Sequence, residues 1–186
     1  MMPDIQTLHD QLAAAELEAR ALASGLTVEQ GTLRPSPTSW SIAECLDHLA
    51  TTNRVYLVPM NEAAMRGRVE GKLRRGPALP GIVGRWFVST LEPPVKPGFR
   101  MKSPRVVRPQ SAPGLSQALA DFLASQEEIR LFLHTFADLD LAGIRFVNPL
   151  IRGVRFSVAT GLNNILAHER RHLWQARQVR QSIASN

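Results

Sequence analysis

Two histidines and an acid near the carboxyl end of the sequence have the spacing needed for metal chemistry. Residues 164–175 read NILAHERRHLWQ, in which His168, Glu169 and His172 form an H-E-x-x-H pattern. On an α-helix, side chains four residues apart are separated by about 40° around the axis and about 6 Å along it. Both imidazoles can therefore reach one ion. H-E-x-x-H is also the pattern of zinc peptidases, in which the acid is the general base.

A zinc site needs more than these two ligands, because Zn²⁺ usually takes three or four. Peptidases with this pattern take the third ligand from a His or Glu downstream. The segment after His172, LWQARQVRQSIASN, contains no His, Asp, Glu or Cys. We therefore reject the peptidase hypothesis, and a third ligand has to come from upstream.

The upstream candidates are His9, His48 and His134. His48 is favoured because it follows Glu44 by four residues on a predicted amphipathic helix, so that the two side chains can share a face. His9 and His134 each lie near polar or terminal positions, which is typical of surface or half-buried histidines. The residues alone leave open the alternative that none of the histidines binds a metal.

Four further side chains are candidates for catalytic or supporting roles. Glu44 could orient a ligand or act as a base, although Ser41 and Glu44 already have the spacing of a helix capping box. Glu169 could be a general base, and its structural alternative is a solvated acid or a partner for a neighbouring helix residue. Gln175 shares the face of the histidine pair and could hydrogen-bond to a ligand or a substrate. Cys45 could approach a metal, but a lone buried cysteine is usually an apolar filler.

Apolar residues at helical spacing predict the elements that position these side chains. The predicted helices cover residues 4–24, 41–65, 115–136 and 157–182. Pro59 lies inside the second helix, where the loss of a backbone N–H should kink or split it. Four helices of this length predict an all-α four-helix bundle with no strand pair, forming a single domain over residues 1–186.

A long connection separates the second and third predicted helices. Residues 67–113 are rich in proline and glycine, and only GIVGRWFVST, at 81–90, has the pattern of a short helix. A connection of this length inside a domain is usually functional or disordered, and we expect it to wrap around the outside of the bundle. Residues 66–108 carry eleven Lys or Arg and two acids, a net charge of +9 in a chain whose total is +6.

This charge distribution and the composition limit the classes of partner. The basic residues lie among prolines and form no known nucleic-acid-binding motif, so we predict no nucleic-acid partner.

Hydrophobic residues make up 44% of the chain, but no window approaches the ~18 apolar residues of a membrane span, so we predict no membrane partner. The first helix lacks the apolar core of a secretory signal. The single cysteine, Cys45, excludes an internal disulfide and fits a cytoplasmic protein.

Two motifs resemble those of DinB/YfiT-like proteins. SWSIAECLDHLA, at 39–50, resembles the W-S-x-x-E-x-x-x-H-L entry to their second helix. NNILAHERRHLWQ, at 163–175, resembles the H-x-x-x-H-L-x-Q motif of their last helix, and RFVNPLIRG, at 145–153, resembles the N-P turn before it. The order of elements also fits across essentially the whole chain, whereas the basic, proline-rich segment has no counterpart that we can match.

The resemblance implies a DinB/YfiT-like four-helix bundle that holds a divalent metal, often nickel or zinc, with three histidines. Carried over to this sequence, the ligands are His48, His168 and His172, with an open coordination position facing a cleft. Characterised relatives are transferases or isomerases that use low-molecular-weight thiols such as bacillithiol or mycothiol. We therefore expect a metal-dependent enzyme that activates such a thiol, in an S-transferase or isomerase reaction, or water, in a hydrolysis.

Two other function classes stand beside this expectation. One is a non-catalytic metal-binding or stress-related protein, which would keep the histidines but lack a substrate cleft. The other is a nucleic-acid binder that uses the basic segment 66–108, and it predicts a steep dependence of binding on salt. The expected partner of the enzyme is a small-molecule substrate, and the chain could form a homodimer.

Overall fold

The computed structural model describes residues 2–94, 103–109 and 113–184. The elements are α1 (Pro3–Ala23), α2 (Val28–Thr32), α3 (Ile42–Val69), α4 (Ile82–Ser89), a one-turn 3₁₀ helix (Arg105–Val107), α5 (Leu115–Phe136), β1 (Arg145–Val147), β2 (Arg155–Ser157) and α6 (Val158–Ala184). The two long helices α1 and α3 each pack on both α5 and α6. This arrangement confirms the predicted all-α fold.

The helix that carries His48 begins where its capping box predicts. The hydroxyl of Ser41 accepts the backbone N–H of Glu44 at 3.2 Å, and a carboxylate oxygen of Glu44 accepts the backbone N–H of Ser41 at 3.0 Å. Of the two effects expected of Pro59, a kink or a split, the split does not occur, because the helix runs unbroken to Val69. Proline removes only one backbone hydrogen bond, and Met60 and its apolar neighbours bury the helix in the core on either side.

A short β-hairpin precedes α6, which corrects the expectation of no strand pair. β1 and β2 are antiparallel, with Phe146 opposite Phe156, and both of these rings are buried. The side-chain oxygen of Asn148 accepts the backbone N–H groups of Leu150 and Ile151, and Gly153 has the positive φ of 78° that closes the turn. Strands of three residues are too short for the alternating pattern that identifies a strand in a sequence.

The bundle interior divides into two apolar clusters along its length. One cluster contains Leu12, Met60, Leu133 and Leu162 and packs beside the hairpin. The other contains Leu22, Leu46, Phe122 and Leu173 and lies at the end where α3 begins and α6 finishes. Cys45 belongs to the second cluster and is fully buried, and burial raises the pKa of its thiol. This environment fits the apolar-filler interpretation of Cys45.

The described parts of the long connection lie against the bundle and are held there by specific contacts. Arg74 and Asp4 form a largely buried ion pair at 2.6 Å, which ties the start of the connection to α1. α4 packs on α6, and the ring of Phe87 lies 5.0 Å from that of Phe156. The part of the connection at 95–102 and 110–112 lies outside the described residues. None of the helices in the described ranges is long and apolar enough to cross a membrane.

Candidate metal centre

Three histidines from two helices meet at the end of the bundle where α3 begins. α3 supplies His48, and α6 supplies His168 and His172 from successive turns. Each ring offers one nitrogen, and these three nitrogens all lie within 4.8 Å of one another. His9 and His134 do not belong to this group. The structure thus brings together the three side chains that the resemblance singled out, whereas their binding of a metal stays a prediction.

The contacts of two rings through Nδ1 leave the lone pairs of their Nε2 atoms directed toward the cluster. Nδ1 of His48 lies 2.5 Å from the backbone carbonyl oxygen of Val107. Nδ1 of His172 lies 3.0 Å from the side-chain oxygen of Gln175. A backbone carbonyl oxygen and a side-chain amide oxygen can only accept a hydrogen bond. Each Nδ1 therefore carries the proton, and each Nε2 keeps its lone pair. A ring nitrogen that donates to an oxygen in this way is the usual arrangement of a metal-bound histidine.

His168 is the ring whose polar atoms are least satisfied. Its Nε2 lies 3.2 Å from Nε2 of His48, and its Nδ1 is buried without a hydrogen-bond partner among the described residues. Two nitrogens that share a tetrahedral Zn²⁺ at about 2.0–2.1 Å are roughly 3.3 Å apart. The separation of the His48 and His168 nitrogens therefore already suits a shared ion.

Burial keeps all three imidazoles in the form that binds metals. Burial lowers the pKa of His48, and the hydrogen bond to Val107 opposes this only in part. The pKa values of His168 and His172 lie well below the usual range because both rings are buried, and their neighbouring histidines and the charge of Arg171 lower them further. Neutral imidazole is the ligating form, and a set of imidazole nitrogens suits zinc and nickel. The residues present therefore fit the divalent ion that the resemblance implies.

Trp40 lies directly against this histidine cluster. Its ring stacks on that of His172 at 5.5 Å and 27°, and it lies 4.7 Å from the ring of His48 at a tilt of 54°. The tryptophan is half-buried, so it shields one side of the cluster from solvent. The sequence signal for this proximity is the W-S-x-x-E-x-x-x-H-L motif, in which Trp40 precedes His48 by eight residues.

Glu44 is fully occupied by structural contacts. One carboxylate oxygen accepts from Nε of Arg34 at 2.7 Å and from the backbone N–H of Ser41, and the other forms an ion pair with the same arginine. Burial alone would raise the pKa of Glu44, but the contacts with Arg34 and Ser41 outweigh it and hold the pKa below its usual range. This acid caps α3 and anchors the preceding loop.

Glu169 occupies a different environment from the solvated one considered for it. The side chain is fully buried, and one oxygen accepts from the amide of Asn53 on α3 at 2.8 Å and from that of Gln126 on α5 at 2.6 Å. Burial raises the pKa of Glu169 to about 7. The carboxylate does not belong to the group of potential metal ligands. The acid of the H-E-x-x-H pattern thus joins α6 to its neighbours.

Gln175 and Val107 each hold one histidine ring, that of His172 and that of His48 respectively. The side-chain oxygen of Gln175 accepts a hydrogen bond from Nδ1 of His172, and its role in supporting a ligand stays a prediction. Val107 belongs to the 3₁₀ helix of the long connection and is itself buried. No sequence signal identifies Val107, because its contribution is a backbone carbonyl and any residue supplies one.

Comparison with known proteins agrees with this geometry. The family model of the DinB superfamily matches residues 11–176, which include all three histidines. The search of curated proteins gave no match, and the search of solved structures gave none. Because the match spans nearly the whole chain and agrees with the helical fold, the chain belongs to the DinB superfamily.

Proposed function

We propose that this protein binds a divalent metal through His48, His168 and His172 and uses it in an enzymatic reaction on a small molecule. The observation that carries the proposal is the convergence of three imidazoles, of which His48 and His172 are buried and have Nδ1 hydrogen-bonded to an oxygen, while His168 is half-buried. Burying this many polar rings without a partner for each donor and acceptor is costly. An ion offsets that cost by engaging the three nitrogens that face one another.

The reaction class follows from what such a site supplies. When bound, a divalent ion with an open position lowers the pKa of a thiol or water so that it is deprotonated near neutral pH. The chain itself fixes the ligand rings through the Val107 carbonyl and Gln175. The half-buried Trp40 ring restricts water on one side of the site.

A low-molecular-weight thiol is the cosubstrate that we propose, and activation of water is the alternative. The support for a thiol is the membership of a family whose characterised members use thiols in transferase and isomerase reactions. Such a cosubstrate also suits a cytoplasmic protein. Imidazole nitrogens bind both nickel and zinc, so the proposal includes both metals.

Metal analysis of protein purified without an affinity tag tests the binding step. We expect about one equivalent of a divalent metal in the wild type and none in His48→Ala, because two remaining histidines make a weak site. His9→Ala and His134→Ala serve as matched controls and should keep the full metal content. Undiminished metal in His48→Ala would overturn the site and the function derived from it.

A panel of thiols and electrophiles tests the enzymatic step on the metal-loaded protein. We expect turnover with at least one low-molecular-weight thiol, which should be lost in His48→Ala. Hydrolysis without a thiol would support the water-activating alternative. If the protein binds a stoichiometric amount of metal but shows no turnover with or without a thiol, the result would favour a non-catalytic metal-binding protein.

A further inference from the structure

A polar cleft lies near the C-terminal end of α3, whereas the histidine cluster lies near the N-terminal end of this helix. The cleft has a volume of about 450 Å³ and is bordered by the last turn of α3, the residue Lys72 and the β-hairpin. Arg66 at this cleft is eighteen residues after His48 on the same helix, which corresponds to about 27 Å along the axis. The cleft is therefore separate from the candidate metal centre, and its size falls in the range of small-molecule sites.

Positive charge dominates the lining of this cleft. Arg66, Lys72, Arg145 and Arg155 line it together with one acid, Glu70. Glu70 is already engaged by Lys72 at 2.6 Å. The nearest acid to Arg66 is Glu62, at 4.0 Å on the exposed helix surface. The four cations thus exceed the acid of the lining by three charges.

The two hairpin arginines are not neutralised by the described part of the chain. Neither Arg145 nor Arg155 forms an ion pair with a described residue, whereas ten other ion pairs occur there. The nearby carboxylate of Asp140 accepts the backbone N–H of Gly143 at 3.0 Å and so has a local partner. Both guanidinium groups are therefore available to an anion from solution.

The hairpin register places the two arginines on one face. Arg145 is paired with Ser157, and Arg155 is paired with Val147, so that the arginines are diagonal neighbours about 7–8 Å apart at the backbone. The buried Phe146–Phe156 pair points to the other face and fixes this orientation. The two positive charges are therefore presented on the same face of the hairpin.

A close approach of backbone to helix shapes the cleft. A Cβ atom added to Gly67 would lie only 2.4 Å from the side chain of Ile144. Glycine at this position of α3 therefore lets the segment leading into β1 pack against the helix. The residue after Ile144 is Arg145, which lines the cleft together with Arg66.

We propose that this cleft binds a small anion that carries two or more phosphate or carboxylate groups. The planar guanidinium groups of Arg145 and Arg155 can each form a two-pronged contact with such a group. Arg66 and Lys72 add positive charge to the same lining. The proposal does not depend on the metal centre, because none of its residues takes part in it.

Calorimetric titration of the full chain at about 150 mM salt tests the site, with tripolyphosphate and citrate as probes. We expect saturable binding of one equivalent of at least one probe. Arg145→Ala and Arg155→Ala should each weaken it by about tenfold to a hundredfold, the usual effect of removing a charged hydrogen bond. Arg152→Ala is the matched control, because Arg152 is an exposed arginine of the same hairpin outside the cleft. It should bind like the wild type, and so should His48→Ala.

The outcomes separate the sources of the anion and the competing explanations. Preference for tripolyphosphate identifies a phosphorylated ligand, and preference for citrate identifies a polycarboxylate. Circular dichroism should give the wild-type spectrum for each arginine variant, since these side chains are exposed. Absence of binding by both probes, or an equal loss in Arg152→Ala, would overturn the proposal. A third contradicting result would be that duplex DNA binds more tightly than either probe and that Arg152→Ala weakens the DNA binding. Such a result would indicate an extended basic surface and not a small-anion site.

Discussion

At the scale of single residues, the candidate metal centre depends on which nitrogen of each imidazole carries the proton. An imidazole whose Nδ1 is held by an oxygen presents Nε2 in a fixed direction, so less ordering is needed when an ion binds. His48 takes this oxygen from a backbone carbonyl and His172 takes it from a side chain. Only the second of these contacts can be removed by substitution without altering the backbone.

We predict that Gln175→Ala lowers metal affinity by about tenfold to a hundredfold, the usual effect of losing a hydrogen-bond partner of a ligand. The substitution removes the acceptor that holds Nδ1 of His172. Competition against a chromophoric chelator measures the affinity directly. Gln178→Ala, at an exposed position on the same helix, is the control and should bind the metal like the wild type. Equal affinities of the two variants would show that Gln175 does not orient the ligand.

At the scale of the elements, a buried polar network joins the helices that carry the ligands. Glu169 on α6 accepts from Asn53 on α3 and from Gln126 on α5, and Asn53 also donates to Ser125 at 3.0 Å. A second oxygen of Glu169 and the amide oxygens of both partners lack hydrogen-bond partners among the described residues. The network thus fixes how α6 sits against α3 and α5, but it leaves a buried carboxylate that is costly to ionise.

This cost predicts an unusual pH dependence for Glu169→Gln. The folded pKa of Glu169 is about 7, above its ordinary value of 4.5. Its contribution to stability is therefore complete below pH 4.5 and is lost as the pH rises through 7. Gln cannot ionise, so the melting temperature of Glu169→Gln relative to that of the wild type should rise between pH 5 and pH 8. Melting curves of the metal-free proteins measure this difference, and a constant difference across that range would contradict the prediction.

At the scale of the whole molecule, two basic residues of the segment 66–108 are paired with acids elsewhere in the fold. Arg68 pairs with Asp138 at 2.7 Å, and Arg74 pairs with Asp4. Lys72 pairs with Glu70 inside the segment itself. These pairs reduce the charge that the described part of the segment offers to a polyanion, and the absence of a nucleic-acid partner stays a prediction.

Metal binding should also stabilise the whole fold, because the ligands come from α3 and α6. A ligand that binds only the folded state adds about 4.1 kcal/mol at a concentration 1,000 times its Kd. For a chain of this length, that gain corresponds to a rise in Tm of roughly 8–16 °C. Differential scanning fluorimetry with zinc and nickel measures the shift, and His48→Ala should show almost none. A rise of the same size in His48→Ala would place the bound metal elsewhere.

The sequence by itself determined the features that depend on neighbours along the chain. The bounds of α5 follow from its apolar periodicity, and the start of α3 follows from the capping box of Ser41 and Glu44. The pairing of His168 with His172 on one face follows from helix geometry alone. These features are local, so a pattern of a few residues is sufficient to specify them. The choice of His48 as a third partner needed the resemblance to a family as well.

Only the tertiary structure decided the contacts that join distant segments. The carbonyl of Val107 reaches His48 across 59 residues, and the amide of Asn53 reaches Glu169 across 116. α3 continues through Pro59 because buried neighbours hold it, which a local rule about proline does not include. Whether a given acid, carbonyl or arginine is buried, paired or free depends on which elements pack around it. That packing is a property of the whole fold and leaves no pattern in any one stretch of the sequence.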